Sequence, residues 1–333
     1  MRVPDQIKKC VLFVGLPEIP DPEYRGTGFI VTVPGTEQND FAFMVTARHV
    51  AEHLQGKDFY IRVNRKNGGA IALRGLADNP WWYHPTERKF VDAAITLFAP
   101  ERLAELDVER IPIGMFADRA VIAQYNLGVG DEVFITGLFT KVTETANNIP
   151  IVRTGTVAMM PDERIPFGDD LIEAYLVEAR SIGGLSGSPV FVRETVRIPV
   201  HGDSSGAHAG TIIMVNNKPL RPVTWHGEMH GVGRFYLFGS MIGHWEIPNG
   251  FTPSMSEAVN MGIAPIVPAH KIREIILQPE VVDLMDKVNK EMRSKNQKGA
   301  KLDFAPSKKE TFTQDDFEAV LKKASRKIAP ESK

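Results

Sequence analysis

Between Cys10 and Phe98 the chain repeats one pattern six times, a run of seven to nine residues rich in valine, isoleucine and aromatics followed by a break of glycine, proline, asparagine or charge. β-Branched and aromatic side chains fit a pleated, half-buried surface, and the breaks supply turns. The runs are Cys10–Leu16, Gly26–Pro34, Phe41–Ala47, Phe59–Arg65, Ala70–Leu76 and Asp92–Phe98, with Asn67, Gly68 and Gly69 as a hairpin turn between two of them. Six short strands of this kind suit a closed antiparallel barrel. A second series follows a connector over Pro112 to Leu127. It takes in Leu127–Phe139, Ile151–Met160, Leu171–Ala179, Ser188–Arg193, Arg234–Trp245 and Gly262–Ile276, the last ending in a helix. The expected fold is therefore all-β: two antiparallel six-stranded β-barrels, over residues 8–115 and 125–276, with short C-terminal helices.

Within the second series lies the segment SIGGLSGSPVF, Ser181 to Phe191. Gly183, Gly184 and Gly187 let the backbone turn tightly around one hydroxyl, that of Ser186, before an apolar strand begins. A serine so presented, beside free backbone N–H groups, is suited to nucleophilic catalysis if a base is at hand. His49 closes the apolar run Phe41–Val45 where a short helical turn starts, and Asp92 heads the run ending at Phe98. Singly, each has a structural reading: a turn serine, a histidine at a strand end, an aspartate capping a turn. The order His, Asp, Ser excludes the α/β-hydrolase arrangement, which places Ser first and has glycine where Ser188 stands.

The segments TARHV, VDAAI and GLSGSPVF, in that order, resemble the catalytic segments of the trypsin/chymotrypsin-like serine peptidases, and most of all the disulfide-free bacterial, HtrA-like members. The resemblance covers roughly residues 8 to 275 and includes GTGFIV, with Gly26 and Gly28, before the histidine strand. It implies an active site in the cleft between the barrels, with Ser186 as nucleophile, His49 as general base and acid, and Asp92 orienting the imidazole. The backbone N–H groups of Gly184 and Ser186 would form the oxyanion hole. The implied activity is peptide-bond hydrolysis through an acyl-enzyme, on polypeptide substrates and with no metal or organic cofactor. Arg180 would stand at the floor of the specificity pocket and disfavour basic side chains. Ile242, Gly243 and His244 would pair with an extended substrate. The alternatives are a catalytically silent or latent double barrel serving as a protein-binding module, or an esterase using the same triad.

Several features depart from that pattern. Leu185 replaces the aspartate that pairs with a cleaved N-terminus in the digestive enzymes, so that ion pair is not available. Residues 194–233 form an insertion between neighbouring strands, expected as a flap near the cleft. Its histidines, His201, His208, His226 and His230, lack the H-E-x-x-H spacing of zinc proteases. His84, in the aromatic segment Trp81–Tyr83 and its flanks, reads as structural. Residues 285–333 are lysine-rich and read as a linker plus a short amphipathic helix carrying Phe317, Val320, Leu321, Ala324 and Ile328, with a protein partner in prospect; no PDZ-like domain follows. From Asp286 onward the chain has 13 basic and 8 acidic residues, against a net charge of −2 overall. That balance gives no reason to expect nucleic acid as a partner, and the lack of a long apolar run or leader pattern gives none to expect a membrane; the expected location is the cytoplasm. The one cysteine, Cys10, excludes an internal disulfide and is expected to be buried.

Overall fold

The computed structural model describes residues 3–17, 23–35, 40–100, 102–139, 146–168, 170–179, 184–194, 214–215, 218–219, 234–243, 246–247, 259–260 and 262–300. A short helix α1 (Asp5–Lys9) precedes the first sheet. Its strands are β1 (Val11–Leu16), β2 (Glu23–Pro34), β3 (Asp40–Thr46), β4 (Phe59–Asn64), β5 (Ala70–Gly75), β6 (Trp82–Tyr83), β7 (Ala94–Leu97) and β8 (Ile111–Pro112). All six expected strands are present, and β6 and β8 are additions. Inward and outward residues alternate along β4, where Phe59, Ile61 and Val63 are buried. The turn into β5 uses Gly68 and Gly69 at φ +91° and +77°, conformations closed to most residues.

The hydrogen-bonded order is β5-β4-β1-β2-β3-β7-β6, with β8 running parallel to β2. Closure was expected here, but among the described residues no ladder joins β5 to β6 or β7. The cause lies in the connecting segment. Pro80 and Pro85 bracket β6, and proline has no N–H to donate, so the two-residue strand cannot lengthen to meet β5.

The second unit does close. Strands β9 (Glu132–Gly137), β10 (Ile151–Met159), β13 (Tyr175–Glu178), β14 (Pro189–Arg193), β17 (Phe235–Met241) and β20 (Ile263–Pro268) form a six-stranded antiparallel barrel in the order β10-β13-β20-β17-β14-β9. The hairpin β11 (Ile165–Phe167) with β12 (Asp170–Ile172) projects from it, and two further two-residue ladders pair β15 (Met214–Val215) with β16 (Lys218–Pro219) and β18 (Glu246–Ile247) with β19 (Val259–Asn260). Of the 194–233 insertion, only Glu194 and the β15–β16 ladder belong to the described residues. Each unit has its own apolar interior, and a third cluster lies between them. That third cluster draws Phe29 and Phe43 from one side and Phe134, Phe191 and Leu237 from the other, which fixes the two units against each other.

Two segments differ from expectation. The connector holds a helix, α3 (Arg119–Tyr125), capped by Asp118, whose carboxylate accepts from Val121 N–H at 3.0 Å, and ended by Asn126 at φ 51°. After α4 (Ala269–Ile276), which was expected, comes α5 (Pro279–Ala300), and it occupies residues 285–300 where a linker was expected. Val281, Val282, Leu284, Met285, Val288 and Met292 are buried, an apolar face that narrows beyond Met285, where the surrounding lysines hide it in the composition. Proline at the first position and Glu280 in the first turn suit a helix start. The amphipathic segment carrying Phe317 to Ile328 lies outside the described residues. Cys10 is buried, and its burial pushes the thiol pKa up. No described helix is long and apolar enough to cross a membrane.

Candidate active site

His49 is the second residue of α2 (Arg48–Leu54), which starts two residues after β3 ends. First-turn amides of a helix have no partner within it. Here the His49 N–H finds one in Asp92 Oδ1 at 3.0 Å, while Nδ1 of the same residue meets Asp92 Oδ2 at 2.7 Å. Both carboxylate oxygens are thus spent on one histidine, fixing its backbone and its ring together. Asp92 is 6% exposed and the His49 ring 48% exposed, so one end of the imidazole is buried against a charge and the other faces solvent. With Nδ1 donating to the carboxylate, Nε2 is left as the acceptor, the tautomer a general base requires. Burial acts to lower the His49 pKa, but the hydrogen bond and charge of Asp92 outweigh it, and the net shift is upward. Arg48, with Nε 3.8 Å from Asp92 Oδ1, opposes that rise.

Ser186 stands across the interface on a turn built by glycine. Gly184 and Gly187 flank it at φ +94° and +82°, and Ser188 N–H closes the turn on Leu185 C=O at 2.9 Å. The turn is tied to β17 by Gly187 N–H to Met241 C=O at 2.8 Å and Met241 N–H to Ser188 C=O at 2.9 Å. It is tied to the first unit by Thr27, a residue that the sequence did not single out. Thr27 N–H donates to Ser186 C=O at 2.9 Å, and its hydroxyl donates to Gly184 C=O at 2.8 Å and accepts from Leu138 N–H at 2.9 Å. Thr46, at the end of the histidine strand, donates its hydroxyl to Thr27 C=O at 2.8 Å. One wholly buried threonine therefore links the serine turn, the histidine strand and the second barrel. Only the small-residue pattern of GTGFIV hinted at it. Gly26 leaves room for this approach, since a Cβ there would sit 2.9 Å from Val50 Cγ1 and 3.4 Å from Ser186 O.

Gly187 backs onto Thr27 C=O, the Thr46 hydroxyl and Ala47 N, which brings the serine turn against the residues that lead into His49. The Ser186 hydroxyl makes no hydrogen bond to His49 among the described residues. Neither the Gly184 nor the Ser186 N–H is taken by a protein acceptor among them. Leu185 is completely buried in the interior of the second barrel, so apolar packing anchors the loop.

The remaining sequence candidates divide. Ile242 is buried and its N–H is committed to Pro265 C=O at 3.0 Å, and Gly243 follows it at the end of the described segment. Arg180 and His244, like His201, His208, His226 and His230, lie outside the described residues. His84 is 3% exposed; its Nδ1 accepts from Glu87 N–H at 3.0 Å, so Nε2 carries the proton and donates to Glu274 at 2.7 Å. His84, Glu87 and Glu274 are close enough to share a cation, but Lys271 already supplies one, bound to Glu87 and lying 3.3 Å from Glu274 and 3.4 Å from Glu173. The cluster is an ion-pair bridge between the turn before Asp92 and α4.

No protein-family model matches the sequence, and no curated protein matches it. Among solved structures, the chain is similar to the MamO protease domain from Magnetospirillum magneticum in its apo form, at 16% identity and TM-score 0.42, over 80% of this chain and 96% of that one. It is also similar to an inactive mutant form of Rv3671c from M. tuberculosis H37Rv, at 12% identity and TM-score 0.36, over 81% and 87% of the two chains.

Proposed function

We propose that this chain is a trypsin-like serine hydrolase that cleaves peptide bonds through an acyl-enzyme, with Ser186 as nucleophile, His49 as general base and acid, and Asp92 as the group that orients and supports the imidazole. The observation that carries this reading is the double engagement of Asp92 by His49, backbone and ring, with Ser186 held across the interface through Thr27. A purely structural histidine at a strand end has no need of a buried carboxylate on Nδ1 and an open Nε2.

In the proposed reaction His49 Nε2 takes the Ser186 proton as Oγ attacks the scissile carbonyl, and the resulting imidazolium is stabilised by Asp92. Charge develops on the carbonyl oxygen, where the Gly184 and Ser186 N–H groups meet it; one such donor is typically worth about 10²- to 10³-fold in turnover. The imidazolium then protonates the leaving amine, and water repeats the sequence on the acyl-enzyme. An extended substrate would align on the Ile242 carbonyl and Gly243 as an added strand. Arg180 as a specificity residue and the C-terminal segment as a partner-binding element belong to the same proposal. A latent site is the second reading, favoured by the lack of a Ser186–His49 hydrogen bond, although such bonds are often long until substrate binds.

The test is covalent labelling by a fluorophosphonate probe, with wild type compared to Ser186→Ala and His49→Ala. Labelling at Ser186 that is lost in both variants is the expected result, and turnover of peptides over simple esters then separates peptidase from esterase. Folded wild type that never reacts overturns an assembled triad.

A further inference from the structure

The unclosed side of the first sheet opens a cleft of about 540 Å³ between β4–β5 and the stretch from β7 to Leu106, at Pro80. That volume is in the range of small-ligand sites, and the mouths of β-barrels are common places for them. Its floor is made by the buried side chains of Ile61, Phe98 and Leu106, and Leu73, Leu97 and Ile71 form walls that reach the surface. Polar groups are few along these walls. The Thr96 hydroxyl is already spent on Pro80 C=O at 2.7 Å. A ligand rich in hydroxyls or amides would lose its water here without gaining partners, so the cleft suits an aliphatic body.

The rim has the opposite character. Arg65, Arg74 and Arg102 line the cleft with Glu105 as the one acid. Arg74 is answered by Asp58, and Arg102 reaches Glu105 at 3.7 Å. Arg65 forms no ion pair among the described residues, and its Nε is buried without a hydrogen-bond partner. A guanidinium in that state, at the edge of an apolar cleft, is complementary to a single carboxylate presented on a hydrocarbon chain.

We propose that the cleft is a binding site for a medium-chain fatty acid, with the carboxylate on Arg65 and the chain laid over Ile61, Leu73, Phe98 and Leu106. Binding would fill the gap that Pro80 and Pro85 leave in the sheet, and would stabilise the unit that carries His49 and Asp92. The site is separate from the Ser186 chemistry and stands whether or not the chain is a peptidase.

The test is calorimetric titration of the full chain with decanoate below its aggregation concentration, alongside 1-decanol and acetate. Decanoate should bind one to one and raise the thermal midpoint, 1-decanol should bind about tenfold more weakly for want of the charged head, and acetate should not bind measurably. Arg65→Gln should weaken decanoate about tenfold and leave 1-decanol unchanged, since one charge-assisted bond is lost. Ile71→Glu, at a wall position already 36% exposed and so tolerant of change, should abolish binding of both. Circular dichroism establishes that both variants are folded. The proposal is overturned if wild type binds no decanoate, if decanoate and 1-decanol bind alike, if neither substitution matters, or if an acidic apolar peptide binds while decanoate does not.

Discussion

Replacing Thr27 by valine keeps the shape of the side chain and removes only its hydroxyl, so it isolates the clasp between the two units. In wild type that hydroxyl gives 2.8 Å to Gly184 C=O and takes 2.9 Å from Leu138 N–H, in a position with no solvent exposure. Valine leaves a buried acceptor and a buried donor unpaired, each costing about 1–3 kcal/mol. Against this stands the small gain of burying a methyl in place of a hydroxyl, so the net loss should be about 2–4 kcal/mol, or roughly 3–6 °C in thermal midpoint for a chain of this size. Urea unfolding with an unchanged slope measures it. The second effect is local. With Gly184 C=O released, the peptide beside the oxyanion donors is free to rotate, and labelling of Ser186 should slow by more than the stability loss explains, read at a temperature where the variant is fully folded. The Thr27 N–H to Ser186 C=O bond remains, so the turn should not detach altogether. A stability change within about 0.5 kcal/mol, the level of an ordinary surface substitution, together with an unaltered labelling rate, would refute the clasp.

Other expectations follow from the same geometry. Labelling of Ser186 requires neutral His49, so its rate should climb as pH rises through the His49 pKa, at a pH above that of an ordinary histidine. Arg48→Gln should move that limb to still higher pH, because Arg48 is one of the groups lowering the pKa; a limb that moves down or stays put counts against the assigned contacts. The stability linked to His49 has the opposite sense. It is fully present below about pH 6.5, is lost as pH rises through the raised folded-state value, and should vanish in Asp92→Asn, as denaturation across pH would show. Gly187→Ala places a methyl against Thr27 C=O and the Thr46 hydroxyl at φ +82°, so it should destabilise by several kcal/mol and abolish labelling. Val288→Glu puts a charge into the buried stripe of α5 and should release that helix, seen as a loss of helical circular dichroism and new protease sensitivity.

The strands and the three candidate residues were legible in the sequence because each is a local pattern. Alternating apolar runs bounded by turn residues mark strands, and Ser186, His49 and Asp92 each sit where such a run begins or ends. What escaped notice was carried by long-range partnership. Thr27 reads as an ordinary strand threonine until Gly184, 157 positions away, is brought to its hydroxyl. Lys271 and Glu87 are unremarkable surface types whose meaning depends on a contact across 184 positions. The open side of the first sheet is likewise a negative fact, that Pro80 and Pro85 prevent a ladder, and a strand-by-strand reading counts strands without asking which edges meet. The helix α5 was missed for a different reason. From Met285 onward its buried residues are one in three or four, Met285, Val288 and Met292, too few to lift a lysine-rich segment above the composition of a linker.

These long-range contacts converge on the segment that delivers Asp92. The turn from His84 to Val91 is fixed to α4 by His84 and Glu87, to the β11 region by the Arg164–Glu87 ion pair, to α2 by the Arg88–Glu52 pair at 3.0 Å, and to the second unit by Glu173 N–H on Phe90 C=O at 3.0 Å. Most of these pairs are partly exposed and individually weak. Their value is geometric, since the segment contains little regular structure and would otherwise place the carboxylate loosely. Ser186 is secured by the complementary means, apolar burial of Leu185 and the hydroxyl of Thr27. Neither device needs a new N-terminus produced by cleavage. Under the proposed function, a site held in this way would form when the two units dock, and control over it would come from access to the cleft between them or from the adjustment that brings the Ser186 hydroxyl onto His49.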